Sequence, residues 1–233
     1  MSAEPVALSA AAVAGFERAI ADGGVAIFPA DTVYGLAADP ERPAAARRLS
    51  GIKRRDPAQP SAVMFFALAP ALAALPDLGP RTRAAFERLL PGPLTLVVAN
   101  PSGRFPLACG ADRSRLGVRV PALEGPLARL TAVGRPVLQS SANFHGGPDP
   151  RRVADVPAEI RAAADLALDG GELPGVASTV VDLSRYDDSG DYAVLREGAV
   201  PAAALAEQLA RVRANDRWGH GPNDRSRGSE EAR

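Results

Sequence analysis

Apolar residues recur at Val13, Phe16 and Ile20, a spacing that places them on one face of a helix capped by Ser9. Asp22-Gly23-Gly24 ends that helix, and Val25-Ala26-Ile27-Phe28 reads as a short buried strand. Pro29 closes the strand and opens a loop, Ala30 to Leu36. Residues 41–50 read as a helix with Gly51 as its stop. The alternation then continues: a strand from Ala62 to Leu68, a helix over 81–90, a strand over 94–99. A strand over 116–120, a helix over 125–133 and a strand over 136–139 follow. A helix near 157–164 precedes strands near 166–169, 178–183 and 192–196, and a last helix covers about 201–213.

Strands alternating with helices predict an α/β domain. The strands near 178–183 and 192–196 are close in sequence and joined by the polar turn Tyr186 to Asp191, which predicts an antiparallel pair. The expected sheet is therefore mixed, parallel and antiparallel, with flanking helices. This domain is expected to span 1–213. Residues 214–233 are polar, rich in Gly and charges, and predict a disordered tail in which Trp218 is the one candidate for docking.

Composition narrows the function. The chain has 233 residues, 46% of them hydrophobic, enough for a sizeable core. Basic and acidic residues balance at 27 each, so no general attraction to nucleic acid is expected and any anion site must be local. One cysteine, Cys109, and two histidines, His145 and His220, exclude an internal disulfide and a multi-cysteine zinc site. These features predict a reduced, cytoplasmic protein without a structural metal. The Ala-rich start lacks a basic n-region and reads as a helix, and no stretch approaches a membrane span. A P-loop, a Gly-x-Gly-x-x-Gly fingerprint and a Gly-x-Ser-x-Gly elbow are all missing from the sequence.

Lys53 is the only lysine among the 27 basic residues. A compact ammonium suits phosphate in a way that the planar Arg fork does not replicate. Arg55, two residues on, projects to the same side if the segment is extended. A solvated basic loop is the competing reading. Gln139 to Asn143 follows an apolar strand, where ligands of open α/β sheets bind, although Ser and Asn also serve as caps and turns. Ser178-Thr179 is another hydroxyl pair at a strand edge. Arg119, inside the apolar strand Gly117 to Pro121, needs either an anion or an outward-facing position. Arg196 poses the same choice, with Glu197 as a surface partner. His145, in a glycine-rich loop, reads as a bystander.

Taken in order, seven segments resemble the Sua5/YrdC/YciO family. They are Pro29 to Leu36, Ile52 to Arg55 with Pro60, Pro91 to Thr95, Gly117 to Pro121, Ser140 to Asn143, Ser178 to Asp182, and Leu195 to Gly198. The likeness runs from about residue 10 to residue 205 and is closest to the short, single-domain form. It implies a twisted sheet around a cationic concave cavity. It also implies that L-threonine, bicarbonate or CO2 and ATP condense to threonylcarbamoyl-AMP and pyrophosphate, for modification of adenosine 37 in tRNA.

On that resemblance, Lys53, Arg55, Ser141, Asn143 and Arg196 face ATP, with Lys53 and Arg55 catalytic. Thr32, Arg119 and Ser178 face threonine, and Tyr34 shapes the cavity wall. Mg2+ on the ATP phosphates, a downstream threonylcarbamoyl transferase and contact with tRNA or double-stranded RNA are further expectations. The chain departs from the family at Ala30, Ser61, Met64 and Phe144-His145, which bears on the amino-acid substrate. A YciO-like RNA- or nucleotide-binding module is the alternative, and O-carbamoylation, as in the related domain of hydrogenase-maturation proteins, a third.

Overall fold

The computed structural model describes residues 4–216, with side chains at the C-terminal end described as far as Val212. Ten strands among the described residues form one sheet: β1 (Pro5–Ala7), β2 (Ala26–Pro29), β3 (Tyr34–Ala38), β4 (Ala62–Met64), β5 (Leu94–Ala99), β6 (Arg115–Arg119), β7 (Val137–Ser141), β8 (Leu166–Asp169), β9 (Thr179–Asp182) and β10 (Ala193–Arg196). Their order across the sheet is β1-β8-β2-β3-β7-β4-β6-β5-β9-β10. Four pairs are parallel (β1·β8, β2·β8, β4·β6, β5·β9) and the other five antiparallel, so the sheet is mixed as the sequence predicts. The helices are α1 (Ala10–Ala21), α2 (Pro43–Ile52), α3 (Leu68–Ala74), α4 (Pro80–Leu89), α5 (Ala158–Ala163), α6 (Tyr186–Ser189) and α7 (Ala202–Asp216). A 3-10 helix occupies Gly125–Ala132.

Local chemistry accounts for most of these elements. Ser9 Oγ accepts the Ala12 N–H at 3.1 Å and starts α1. Val13, Phe16 and Ile20 are buried on one helical face. Phe16 packs against Phe28 and Phe66 at ring separations of 5.5 and 6.0 Å. Asp187, in α6, caps α4 by accepting the backbone N–H groups of Arg81 and Thr82. The sequence read that stretch as a polar turn; it is a helical turn instead, because Tyr186 is fully buried and anchors it.

Other departures have equally local causes. The segment read as a loop from Ala30 to Leu36 is only partly so, since residues from Tyr34 on pair with β2 as β3. The strand expected over Ala62 to Leu68 stops at Met64, and Leu68 opens α3. Gly51 lies inside α2 and does not end it. The stop is Arg54, at φ +51°, with Arg54 N–H bonded to Gly51 O and Arg55 N–H to Ser50 O. That is a Schellman closure with arginine in the left-handed position usually given to glycine. Arg54 is held there by an ion pair with Glu159 and by stacking at 4.4 Å over Phe144. The expected tail begins at residue 214, but α7 continues to Asp216, and the rest of that segment, Trp218 included, lies outside the described residues.

Each face of the sheet is buried differently. Val63 and Leu138 point into the larger apolar cluster, whereas Met64 and Val137 join Phe16, Phe28 and Leu168 in the smaller one under α1. Alternation then fixes the neighbours: Ala62 and Gln139 lie on the same face as Met64 and Val137. Both line a cavity where α1 no longer covers the sheet.

Candidate active site

The cavity holds about 320 Å3, within the range of small-molecule sites. Its floor is one face of four adjacent strands: Ala62 of β4, Thr95 and Val97 of β5, Gly117 of β6 and Val180 of β9. Intervening residues Val63, Leu96, Leu116, Val118 and Val181 are buried in the core on the other face. Gly117 matters to this floor. A Cβ there would approach no protein atom closer than 3.7 Å, so neither packing nor backbone conformation demands glycine. The missing side chain leaves open space in the cavity.

Four guanidinium groups line this space, Arg55, Arg115, Arg119 and Arg196, against two carboxylates, Asp112 and Asp149. In a chain of zero net charge the basic residues are concentrated locally. Arg119 is almost completely buried and paired with Asp31 at 2.5 Å; its Nη2 also donates to Thr32 Oγ1 at 2.6 Å. Asp31 in turn accepts the Ala122 N–H at 3.1 Å. Arg119 Nε has no hydrogen-bond partner, and neither has Arg55 Nε. Burial lowers the pKa of both groups; at Arg119 the nearby Arg196 lowers it further while Asp31 opposes the shift. Both stay protonated at neutral pH. Both side chains line the cavity, while their Nε donors are buried without partners within the wall.

The right-hand wall depends on a bulge. β10 pairs with β9 as Ala193 with Asp182 and Val194 with Val181, but Arg196, not Leu195, faces Val180. The extra residue carries Arg196 to the cavity side. Its Nη2 donates to Ser178 O at 2.7 Å and Ser178 Oγ at 3.3 Å, and Glu197 is not its partner. Ser178 Oγ also lies 2.9 Å from Thr95 Oγ1. Gly198 permits this approach, since a Cβ would fall 2.2 Å from Ala177 O.

The left-hand wall comes from the end of α2 and the segment after β7. Arg55 donates to Ser140 Oγ at 3.3 Å and to Ser61 Oγ. The turn at Arg54 means that Lys53 and Arg55 do not project side by side from an extended strand. Lys53 lies behind the wall, not on it. Its ammonium donates to Ser141 O, to Asn143 O at 2.7 Å and to Asn143 Oδ1 at 3.0 Å. Ser141 Oγ donates to the same Asn143 Oδ1 at 2.6 Å. Burial, reinforced by Arg55 and opposed by Asp149, brings the Lys53 pKa down to about 8.

Of the residues singled out in the sequence, Arg55, Ser141, Arg119, Ser178 and Arg196 line the cavity. Lys53, Asn143 and Thr32 stand one layer back, hydrogen-bonded to those that do. Tyr34 is not a wall residue. Its buried hydroxyl lies 3.1 Å from Asp169 Oδ1 and 2.8 Å from Gly171 O and accepts the Gly170 N–H, fixing the turn after β8. Burial is the main cause that raises its pKa to about 12. Arg115, Asp149 and Asp31 escaped the sequence reading. The first was within reach of it, since Arg115, Gly117 and Arg119 share one face of one strand.

Among the described residues no group of three or more His, Cys, Asp or Glu side chains could hold a metal ion. Two carboxylates, Asp112 and Asp149, line the cavity. Among the described residues no helix is long and apolar enough to cross a membrane.

Comparison with known proteins gives concordant results. The model of the Sua5/YciO/YrdC family, described as telomere recombination, matches residues 18–198. A threonylcarbamoyl-AMP synthase of Chromohalobacter salexigens is 38% identical over 71% of this chain and 89% of its own length. One from Pyrococcus abyssi is 29% identical over 86% of this chain, which spans only 57% of that relative's length. The structure of P. abyssi Sua5 complexed with L-threonine matches with a TM-score of 0.77 at 25% identity, covering 88% of this chain and 60% of that one.

Proposed function

The chain belongs to the Sua5/YciO/YrdC family, and on that premise we propose that it is a threonylcarbamoyl-AMP synthase. It joins L-threonine, bicarbonate or CO2 and ATP into threonylcarbamoyl-AMP and pyrophosphate, for modification of tRNA adenosine 37 by a downstream transferase. The observation that carries this reading is that Arg55 and Arg196, which have no carboxylate partner among the described residues, line one cavity together with Arg115 and Arg119.

The chemistry fits a site without a general base. Threonine's neutral amine attacks CO2, forming the N–C bond and releasing a proton to water, and the resulting carbamate is itself an oxygen nucleophile. Its oxygen attacks the α-phosphorus, a new P–O bond forms, and the bond to pyrophosphate breaks. Such a step needs alignment and charge neutralisation more than proton transfer by a side chain. In this proposal Arg119, held by Asp31 and Thr32, meets the threonine carboxylate from the cavity lining, with Ser178 beside it. Arg55, Ser141 and Arg196 meet the phosphates directly. Lys53 contributes its charge from behind, through the Ser141–Asn143 segment it holds in place, and Asn143 shapes that segment. Magnesium enters with ATP.

Pyrophosphate release tests the reading. It should require threonine and bicarbonate together, and release at equal rate with serine or glycine would assign a different amino acid to the site.

A further inference from the structure

Arg115 is cationic, lines the cavity and belongs to none of the interactions assigned above. On β6 it shares the cavity face with Gly117 and Arg119, four residues away, or about 13 Å along a strand. It therefore marks the end of the cavity opposite the Asp31–Arg119 pair. Its guanidinium crosses over β5, which separates β6 from β9, to reach Asp182 and Ser184 Oγ at 3.4 Å. Asp112 is a second carboxylate, 4.0 Å from its Nε.

The side chain of Arg115 is 42% exposed, so this ion pair has a water-accessible side and contributes little to stability by itself. Between Arg115 and Arg119 stands Gly117, the position where packing would accept a side chain and the sequence provides none. Threonine at Arg119 therefore leaves the strand beyond Gly117 free, and the phosphate chain of a nucleotide held by Arg55 and Arg196 has room to reach Arg115. We infer that Arg115 binds the outer phosphates of the nucleotide, exchanging Asp182 for phosphate oxygens when ATP enters. The inference rests on the synthase reading for the identity of the ligand. Exchange suits this pair: a guanidinium that donates to a carboxylate oxygen can donate to phosphate oxygens instead.

The test compares dissociation constants of AMP, ATP and pyrophosphate for the unaltered protein, Arg115→Ala and Arg115→Lys. Loss of one charge-assisted contact at a half-exposed position should weaken ATP and pyrophosphate by about tenfold. AMP should stay within about twofold, and Arg115→Lys should recover part of the loss. A purely structural Arg115–Asp182 pair would lower the melting temperature and leave these constants unchanged, which would overturn the inference. Equal weakening of AMP would overturn it too, by moving Arg115 to the nucleoside. Failure of the unaltered protein to bind ATP would remove the synthase reading and this inference together, whereas binding unaffected by Arg115→Ala would remove this inference alone.

Discussion

The Lys53 ammonium is bonded to both oxygens of Asn143, the main-chain O at 2.7 Å and Oδ1 at 3.0 Å, so the chain's only lysine ties the end of α2 to the segment after β7. These partners are acceptors and favour the charged amine, while burial opposes it. With the pKa brought from 10.5 to about 8, Lys53 is charged below that pH and neutral above it. A polyanion binds the charged form better, so above pH 8 binding must take up a proton. ATP affinity is therefore expected to be flat below pH 8 and to fall above it, by at most about tenfold per pH unit. Calorimetric titration of ATP between about pH 7 and 9.5 checks this. In Lys53→Arg the charge persists and the decline should vanish.

Asp31 and Arg119 form a buried pair, and removing one member leaves the other's charge uncompensated. Arg119→Met is expected to cost about 3–5 kcal/mol in denaturant unfolding. Adding Asp31→Asn should return much of that loss, because the orphaned carboxylate disappears. Additive losses would show that the two residues do not act as a pair. Neither variant should retain threonine-dependent turnover.

Gly117→Val separates cavity from core. A Cβ at this position meets protein atoms only at ordinary contact distance, and valine suits a strand. Stability should change by less than about 1 kcal/mol. Pyrophosphate release should nevertheless be lost, because the branched side chain occupies the floor between Arg115 and Arg119. Retained turnover would mean that substrate does not lie along this strand.

Much of this architecture was legible in the sequence, and the residues show why. Helical spacing at Val13, Phe16 and Ile20 and the apolar run of β5 are local signals, and both elements appear where those signals place them. The end of α2 was misread because tertiary contacts, Glu159 and Phe144, hold Arg54 in a conformation that sequence rules reserve for glycine. The bulge that turns Arg196 into the cavity has no signature in the sequence and emerges only from pairing with β9. Likewise, a partner for Arg119 was anticipated, but its identity was not. Asp31 is 88 positions away in the chain and meets Arg119 through the sheet order.

Formation of the mixed anhydride between a threonine-derived carbamate and AMP is the central claim. Mass spectrometry of the product made from ATP, L-threonine and carbon-13 bicarbonate addresses it directly. An adenylate carrying both the threonine mass and the carbon-13 label is expected, accompanied by pyrophosphate. An adenylate with threonine but without the label, or ATP cleaved to ADP and phosphate, would contradict it.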